Sequence, residues 1–233
     1  MVVLGMDTSR WVRSLALVRG DEVIAEWTAA PTEKYRDTLI LQIDYLLQQS
    51  GLRVSDVERV AVGIGPGGFT GVRLGVCTAK GWALGAAVQV VGVSSLLALA
   101  YPWLSCGLPV VALTDAFKNE VYVAAYAANG LGDGQGCQTL LAPAHGSATT
   151  VCQALQSVLG EGRYVVVGDG FRRYESEWSP EFVRRALVVA KTFDAPRGAS
   201  VAMLGARASA QADVAALTAA ALEPAYVRQA DVT

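Results

Sequence analysis

The order in which strand-like and helix-like segments follow one another constrains this chain more than any single motif. Residues 2–6, 12–18 and 22–27 are short apolar runs, and Gly20-Asp21 marks a turn between the last two, so they read as three meandering strands. Leu39, Ile43, Leu46 and Leu47 then recur at helical spacing within 35–50, and Gly51 stops that helix. A strand at 59–64 passes through a glycine-rich turn into a helix from about Thr70 to Gly85. A strand at 88–91 and a helix at 94–101, with Ser94 as its cap, complete the first half. The second half repeats the pattern: strands at 109–114, 120–126 and 137–141, a helix at 148–159, a strand at 164–168, a short helical stretch at 172–178, a strand at 186–190 and an Ala-rich helix from about 199.

Three meandering strands followed by crossovers give a mixed sheet with helices packed on it. The twice-met order β-β-β-α-β-α-β therefore predicts an α/β protein of two ribonuclease H-like halves, of the actin, sugar kinase and heat-shock ATPase type. The break is expected near Gly107-Leu108-Pro109, giving halves 1–108 and 109–233. A length of 233 residues with 52% hydrophobic side chains suits one large core or two small ones and excludes disorder.

Charge and rare residues remove several classes of function. Nineteen Lys and Arg against 21 Asp and Glu leave a net charge of −2, so no global field draws the chain onto a polyanion. The single histidine, His145, excludes a two-histidine zinc motif, and its surroundings at 142–147 have a loop composition. Cys77, Cys106, Cys137 and Cys152 form no CxxC pair and read as reduced thiols. No charged residue occurs between Lys80 and Asp115, but Gly85, Gln89, Gly92, Pro102 and Pro109 interrupt that run, which parses as helix, strand, helix rather than as a membrane span. The N-terminus lacks the basic flank of a signal peptide, and a cytoplasmic location without membrane contact is expected.

The segment Val62 to Arg73, VGIGPGGFTGVR, is the richest in chemistry. Gly63, Gly65 and Gly68 fit GxGxxG, but a dinucleotide site needs an acid about 20 residues further on, and none follows until Asp115. The lysine of a P-loop is also absent. Two readings remain: a turn whose Gly65 and Gly67 lead into a helix N-terminus able to hold an anion, or a tight turn that brings strand and helix together. Asp7-Thr8-Ser9, after the first strand, is open in the same way. It lies where an actin-like fold turns an acid and hydroxyls toward phosphates and magnesium, yet the same residues satisfy an ordinary turn. ATP or ADP with magnesium is the only cofactor this constellation suggests, and a nucleotide-dependent ATPase or phosphotransferase is the function it would serve. Asp115, at the matching strand end of the second half, is followed by Ala116-Phe117-Lys118-Asn119, which offers no glycine nest.

Gly71, Gly75, Ala79 and Ala83 recur every four residues and share one side of their helix. Such a stripe admits close approach either of this domain's own sheet or of a partner. In the second case the 35–50 helix would share the patch through Tyr35, Leu39 and Leu46, and a bulky residue at Gly75 or Ala79 would weaken pairing while the fold persists.

GPGGFTGVR at 65–73, with MDTS at 6–9, KGWALG at 80–85, VGVSSL at 91–96, GDG at 168–170 and EPAYVR at 223–228, resembles the TsaB (YeaZ) family over essentially the whole chain. The resemblance implies the two-half fold and a role in making threonylcarbamoyladenosine (t6A) beside the tRNA anticodon. It further implies a scaffold without catalytic residues or metal that binds the catalytic paralogue TsaD, joins TsaE in a larger complex, self-associates through the same helices, and meets tRNA only indirectly. The catalytic paralogues carry an i, i+4 histidine pair where this chain has Ser95 and Leu99, a hydroxyl and an isobutyl group that cannot replace imidazoles on a metal. Two departures stand out: Gly68 where serine is frequent, and Phe117-Lys118 where arginine is common, so no role is carried onto Lys118.

Overall fold

The computed structural model describes residues 1–30, 38–86, 88–129, 136–208, 214–217 and 221–227. They form two units, Met1–Ala98 with Pro196–Ala225, and Leu99–Ala195 with Tyr226–Thr233.

In the first unit the three meandering strands are β1 (Val2–Asp7), β2 (Arg13–Arg19) and β3 (Glu22–Ala29). They are followed by α1 (Leu39–Gln49), β4 (Arg59–Gly63), α2 (Phe69–Ala86), β5 (Gln89–Val93) and α3 (Ser95–Ala100). Two further elements come from the end of the chain, α7 (Gly198–Ala206) and β11 (Val214–Leu217). The sheet order is β11-β5-β4-β1-β2-β3, with β1, β4 and β5 parallel and β2, β3 and β11 joined antiparallel.

Strand alternation assigns the two faces of this sheet. Leu4 and Met6 of β1, with Leu15 and Leu17 of β2, meet Leu39, Ile43 and Leu46 of α1 and Val72, Val76 and Ala79 of α2 in one core. The opposite face receives α7, and the fit is close: a Cβ on Gly5 would stand 2.6 Å from the Ala202 Cβ, and one on Gly198 only 2.5 Å from the Leu15 backbone. Glycine and alanine on both surfaces let helix and sheet backbones approach.

This docking corrects the expected boundary. The segment from Pro196 belongs with the first unit rather than with 109–233, because α7 is the helix that covers the second face of the first sheet. Its N-terminus is held there by Glu26, which accepts from Arg197 Nε at 3.0 Å and Ala199 N at 3.2 Å, and by Ser14 Oγ, which accepts from Gly198 N at 2.8 Å.

The second unit repeats the core topology with β6 (Val110–Asp115), β7 (Val121–Ala128), β8 (Cys137–Gly146), α4 (Ala148–Leu159), β9 (Tyr164–Val167), α5 (Gly170–Arg173), α6 (Pro180–Arg185) and β10 (Ala186–Val188). Its order, β10-β9-β6-β7-β8, is that of β5-β4-β1-β2-β3 in the first unit, and each sheet is mixed. The two-half α/β fold of the actin, sugar kinase and heat-shock ATPase type is thus present.

Two segments of the second unit differ from expectation, as does β11, a strand in the Ala-rich stretch expected to be helical. The helix at 172–178 is interrupted: α5 ends at Arg173 and α6 starts at Pro180. Trp178 Nε1 donates to the Phe171 carbonyl at 2.8 Å, and its ring clusters with those of Phe171 and Phe182, whose centroids are 6.0 and 5.0 Å from it and 6.2 Å from each other. The second difference is β8, which continues to Gly146, so His145 lies on a strand opposite Tyr122, its Nδ1 3.2 Å from Glu120 Oε2. Pro143 is tolerated because β8 is the edge of its sheet.

Candidate functional site

The five residues expected around a phosphate are brought together, but with their polar groups turned on one another. Asp7 ends β1, and Asp7, Thr8 and Ser9 are all buried. Asp7 Oδ1 accepts from Ser9 N at 2.9 Å and Ser9 Oγ at 2.6 Å, while Oδ2 accepts from Ser95 Oγ at 2.7 Å. Burial pushes the Asp7 carboxyl above its ordinary value, and the hydrogen bonds from Ser9 and Ser95 offset part of that rise.

The glycine turn closes over this cluster. Gly65 N donates to Ser95 Oγ at 3.2 Å, Ser95 N to Gly65 O at 2.8 Å, Gly68 N to Ser9 O at 2.7 Å and Thr8 Oγ1 to Gly71 O at 2.7 Å. Gly65 adopts φ +98°, and a Cβ on Gly67 would stand 2.7 Å from the Ser9 Cβ. Thr8, Ser9 and Gly65, offered for a phosphate, are engaged here with protein groups. Their hydrogen bonds clamp the β1–β2 turn onto the start of α2, which is the tight-turn alternative. Ser95 is the pin between the two segments.

The small-residue stripe faces inward as well. A Cβ on Gly75 would lie 2.6 Å from Thr8 Oγ1 and 3.2 Å from Val62 Cγ2, one on Gly71 would overlap the Thr8 carbonyl, and Ala79 is fully buried. Leu39 and Leu46 are core residues, and Ala83 packs against the same core. As outward partner contacts, Gly71, Gly75, Ala79, Leu39 and Leu46 are therefore corrected: they fit α1 and α2 to their own sheet. Tyr35 lies outside the described residues.

What α1 and α2 do expose is a different set. Ile40, Leu41 and Tyr45 are 60%, 66% and 57% exposed, and Leu84 of α2 is 84% exposed. Between the helices lies an apolar groove of about 490 Å³ lined by Ile40, Leu41, Leu47, Val54, Trp82 and Gly85, with Asp44 its one charged lining residue. A helix with large apolar side chains exposed beyond its core-facing stripe has a second surface to cover. The signal was present in LILQIDYLLQQ: once 39, 43, 46 and 47 are assigned to the core, Ile40, Leu41 and Tyr45 remain as a second stripe.

In the second unit Asp115 ends β6. Its Oδ1 accepts from Tyr174 OH at 2.7 Å and Phe117 N at 2.8 Å, and its N–H donates to Asp169 Oδ1 at 3.0 Å. Desolvation, and then the bond to Asp115, push the Tyr174 hydroxyl up. Phe117, Lys118 and Asn119 are all left-handed, with φ 61°, 53° and 60°. Among the described residues no group of three or more His, Cys, Asp and Glu could hold a metal ion, and no helix is long and apolar enough to cross a membrane.

A pair of sheets with one shared strand order defines an actin-like two-unit protein. Comparison with known proteins narrows that class. The family model described as "TsaD: tRNA N6-adenosine threonylcarbamoyltransferase" matches residues 23–152. The tRNA threonylcarbamoyladenosine biosynthesis protein TsaB of Escherichia coli is 34% identical over 178 residues, 75% of this chain and 74% of that protein. YeaZ-like crystal structures from Pseudomonas aeruginosa share the fold, one with a TM-score of 0.79 at 24% identity over 97% of this chain and 99% of that one. An activator of 2-hydroxyisocaproyl-CoA dehydratase from Clostridium difficile, solved with ADPNP, shares the fold more distantly, with a TM-score of 0.50 at 12% identity over 87% and 93%. The chain belongs to the TsaB (YeaZ) family.

Proposed function

We propose that this chain takes part in tRNA threonylcarbamoyladenosine biosynthesis as a non-catalytic partner of TsaD, docking through the exposed face of α1 and α2. The observation that carries this reading is the second apolar stripe of α1. Ile40, Leu41 and Tyr45 stand beside a groove with a single carboxylate, although the core-facing stripe of the same helix is already filled. Aliphatic side chains around a groove suit a packed helix of a partner better than a polar substrate. The same face serves self-association when TsaD is absent, and TsaE joins the larger complex.

The clamp at Asp7 supports a structural role for the residues that an enzyme of this fold would use on phosphate. Both hydroxyls there already donate to protein oxygens, which weighs against the nucleotide-dependent reading. Size-exclusion chromatography with light scattering tests the proposal on the chain alone and mixed with TsaD from the same organism. A one-to-one complex that Leu41→Glu abolishes, with the variant's melting temperature unchanged, is the expected result. Separate elution of the wild-type proteins at micromolar concentration, with TsaE and nucleotide present, would overturn it.

A further inference from the structure

The β1–β2 turn and the start of α2 carry a second kind of surface. Ser9 O accepts from Gly68 N, and Thr8 Oγ1 donates to Gly71 O, so these two segments lie backbone against backbone. Trp11, two residues after Ser9, is 60% exposed, and Phe69, next to Gly68, is 39% exposed. One turn along α2, the Arg73 guanidinium carbon sits 3.5 Å from the centre of the Phe69 ring, a stacked cation–π pair in which the ring orients the guanidinium. Arg10 and Arg13 flank Trp11 in sequence, and the one carboxylate in residues 7–13 and 62–73 is Asp7, which is buried and turned to its own donors.

A phenyl ring stacked on a guanidinium, with an exposed indole in the adjoining turn, differs from the aliphatic groove between α1 and α2. Bases offer π faces to indole and phenyl rings, and the phosphates between them pair with arginine. A duplex hides its base faces, so such a patch selects unpaired nucleotides. We infer that the Trp11, Phe69 and Arg73 patch binds unpaired nucleotides of a tRNA directly. This rests on the proposed role in tRNA modification and revises the expectation that tRNA is met only through TsaD. A net charge of −2 is no obstacle, because the attraction is local and falls off within a Debye length.

The test uses the full-length chain and a fluorescein-labelled anticodon stem-loop RNA, read by anisotropy at low salt, with a fully paired RNA of equal length as control. Tighter binding of the stem-loop than of the duplex is expected, with Trp11→Ala weakening it at least fivefold and Trp11→Phe restoring most of the loss. Arg73→Gln should weaken binding and lower the slope of log affinity against log salt by about one. Chromatography of Trp11→Ala with TsaD separates this inference from the partner reading. Retained heterodimer with lost RNA binding supports both, whereas unchanged RNA binding overturns the inference alone. If the wild type ignores the stem-loop, or if Trp11→Ala loses TsaD instead, the patch is not an RNA surface.

Discussion

Ser95 Oγ donates to Asp7 Oδ2 across 2.7 Å, joining the start of α3 to the end of β1, and at the same oxygen accepts the Gly65 N–H at 3.2 Å. One hydroxyl thus serves a buried carboxylate and the glycine turn together. Ser95→Ala removes one of the three donors on Asp7 and leaves a buried acceptor without a partner, a cost of about 1–3 kcal/mol. Urea unfolding of the two proteins at pH 7 should show that loss, and equal midpoints would mean that the clamp does not hold the fold.

The same carboxylate gives a pH signature. Burial raises the folded-state value of Asp7 above 3.8, so the folded chain keeps a proton in a window where the unfolded chain has released it. The stability from this proton is fully present below the unfolded value and is lost as pH rises through the folded one. Relative to Asp7→Asn, which cannot titrate, the wild type should therefore gain stability as pH is lowered from 7 toward 4. A difference between the two that stays flat, or moves the other way, would show that Asp7 titrates alike in both states.

Glycines on α2 should separate packing from propensity. Gly75→Leu forces a side chain into the space between Thr8 Oγ1 and Val62, and overpacking of this kind costs about 1–3 kcal/mol or more. Gly81 has nothing within 4 Å of a built Cβ, so Gly81→Ala should stabilise by about 0.5–1 kcal/mol through helix propensity alone. Thermal melts check both. A Gly75→Leu protein that melts like the wild type would return the stripe to the outside of the helix.

These contrasts show what was legible in the sequence. The succession of strands and helices along the chain followed from local pattern, because apolar alternation and turn residues are local signals, whereas the glycine turn stayed open between an anion site and a tight turn. The direction of the stripe was not legible: glycine spacing every four residues shows that something comes close, and only the third dimension shows that it is Thr8 and Val62. Thr8 and Ser9 were ambiguous for a related reason, since a hydroxyl that binds phosphate and one that caps a turn are the same letter. The outward stripe of α1 was legible once the core stripe was subtracted. The placement of α7 on the first sheet depends on a contact between residues more than 170 positions apart, Glu26 and Arg197, which no local pattern records.

That long-range pair carries the last prediction. Glu26 is mostly buried, and Arg197 meets it with two nitrogens, Nε at 3.0 Å and Nη2 closer still. The bond to Glu26 raises the Arg197 value, ahead of the opposing effect of desolvation. Glu26 also takes the Ala199 N–H, one of the orphan donors of the first turn of α7. Glu26→Ala removes these three bonds and a longer one from Ser14 Oγ at 3.3 Å, and leaves an uncompensated guanidinium, but Arg197 is about one third exposed and water recovers part of the loss. A destabilisation of about 1–3 kcal/mol is expected. Because α7 closes one face of the first sheet, hydrogen exchange should quicken within 198–206 and on β1 while β6 and β7 keep their protection. Equal acceleration in both units would mean that they unfold as one cooperative body, and no acceleration in α7 would mean that its close packing of Ala202 on Gly5 and of Gly198 on Leu15 holds it without Glu26.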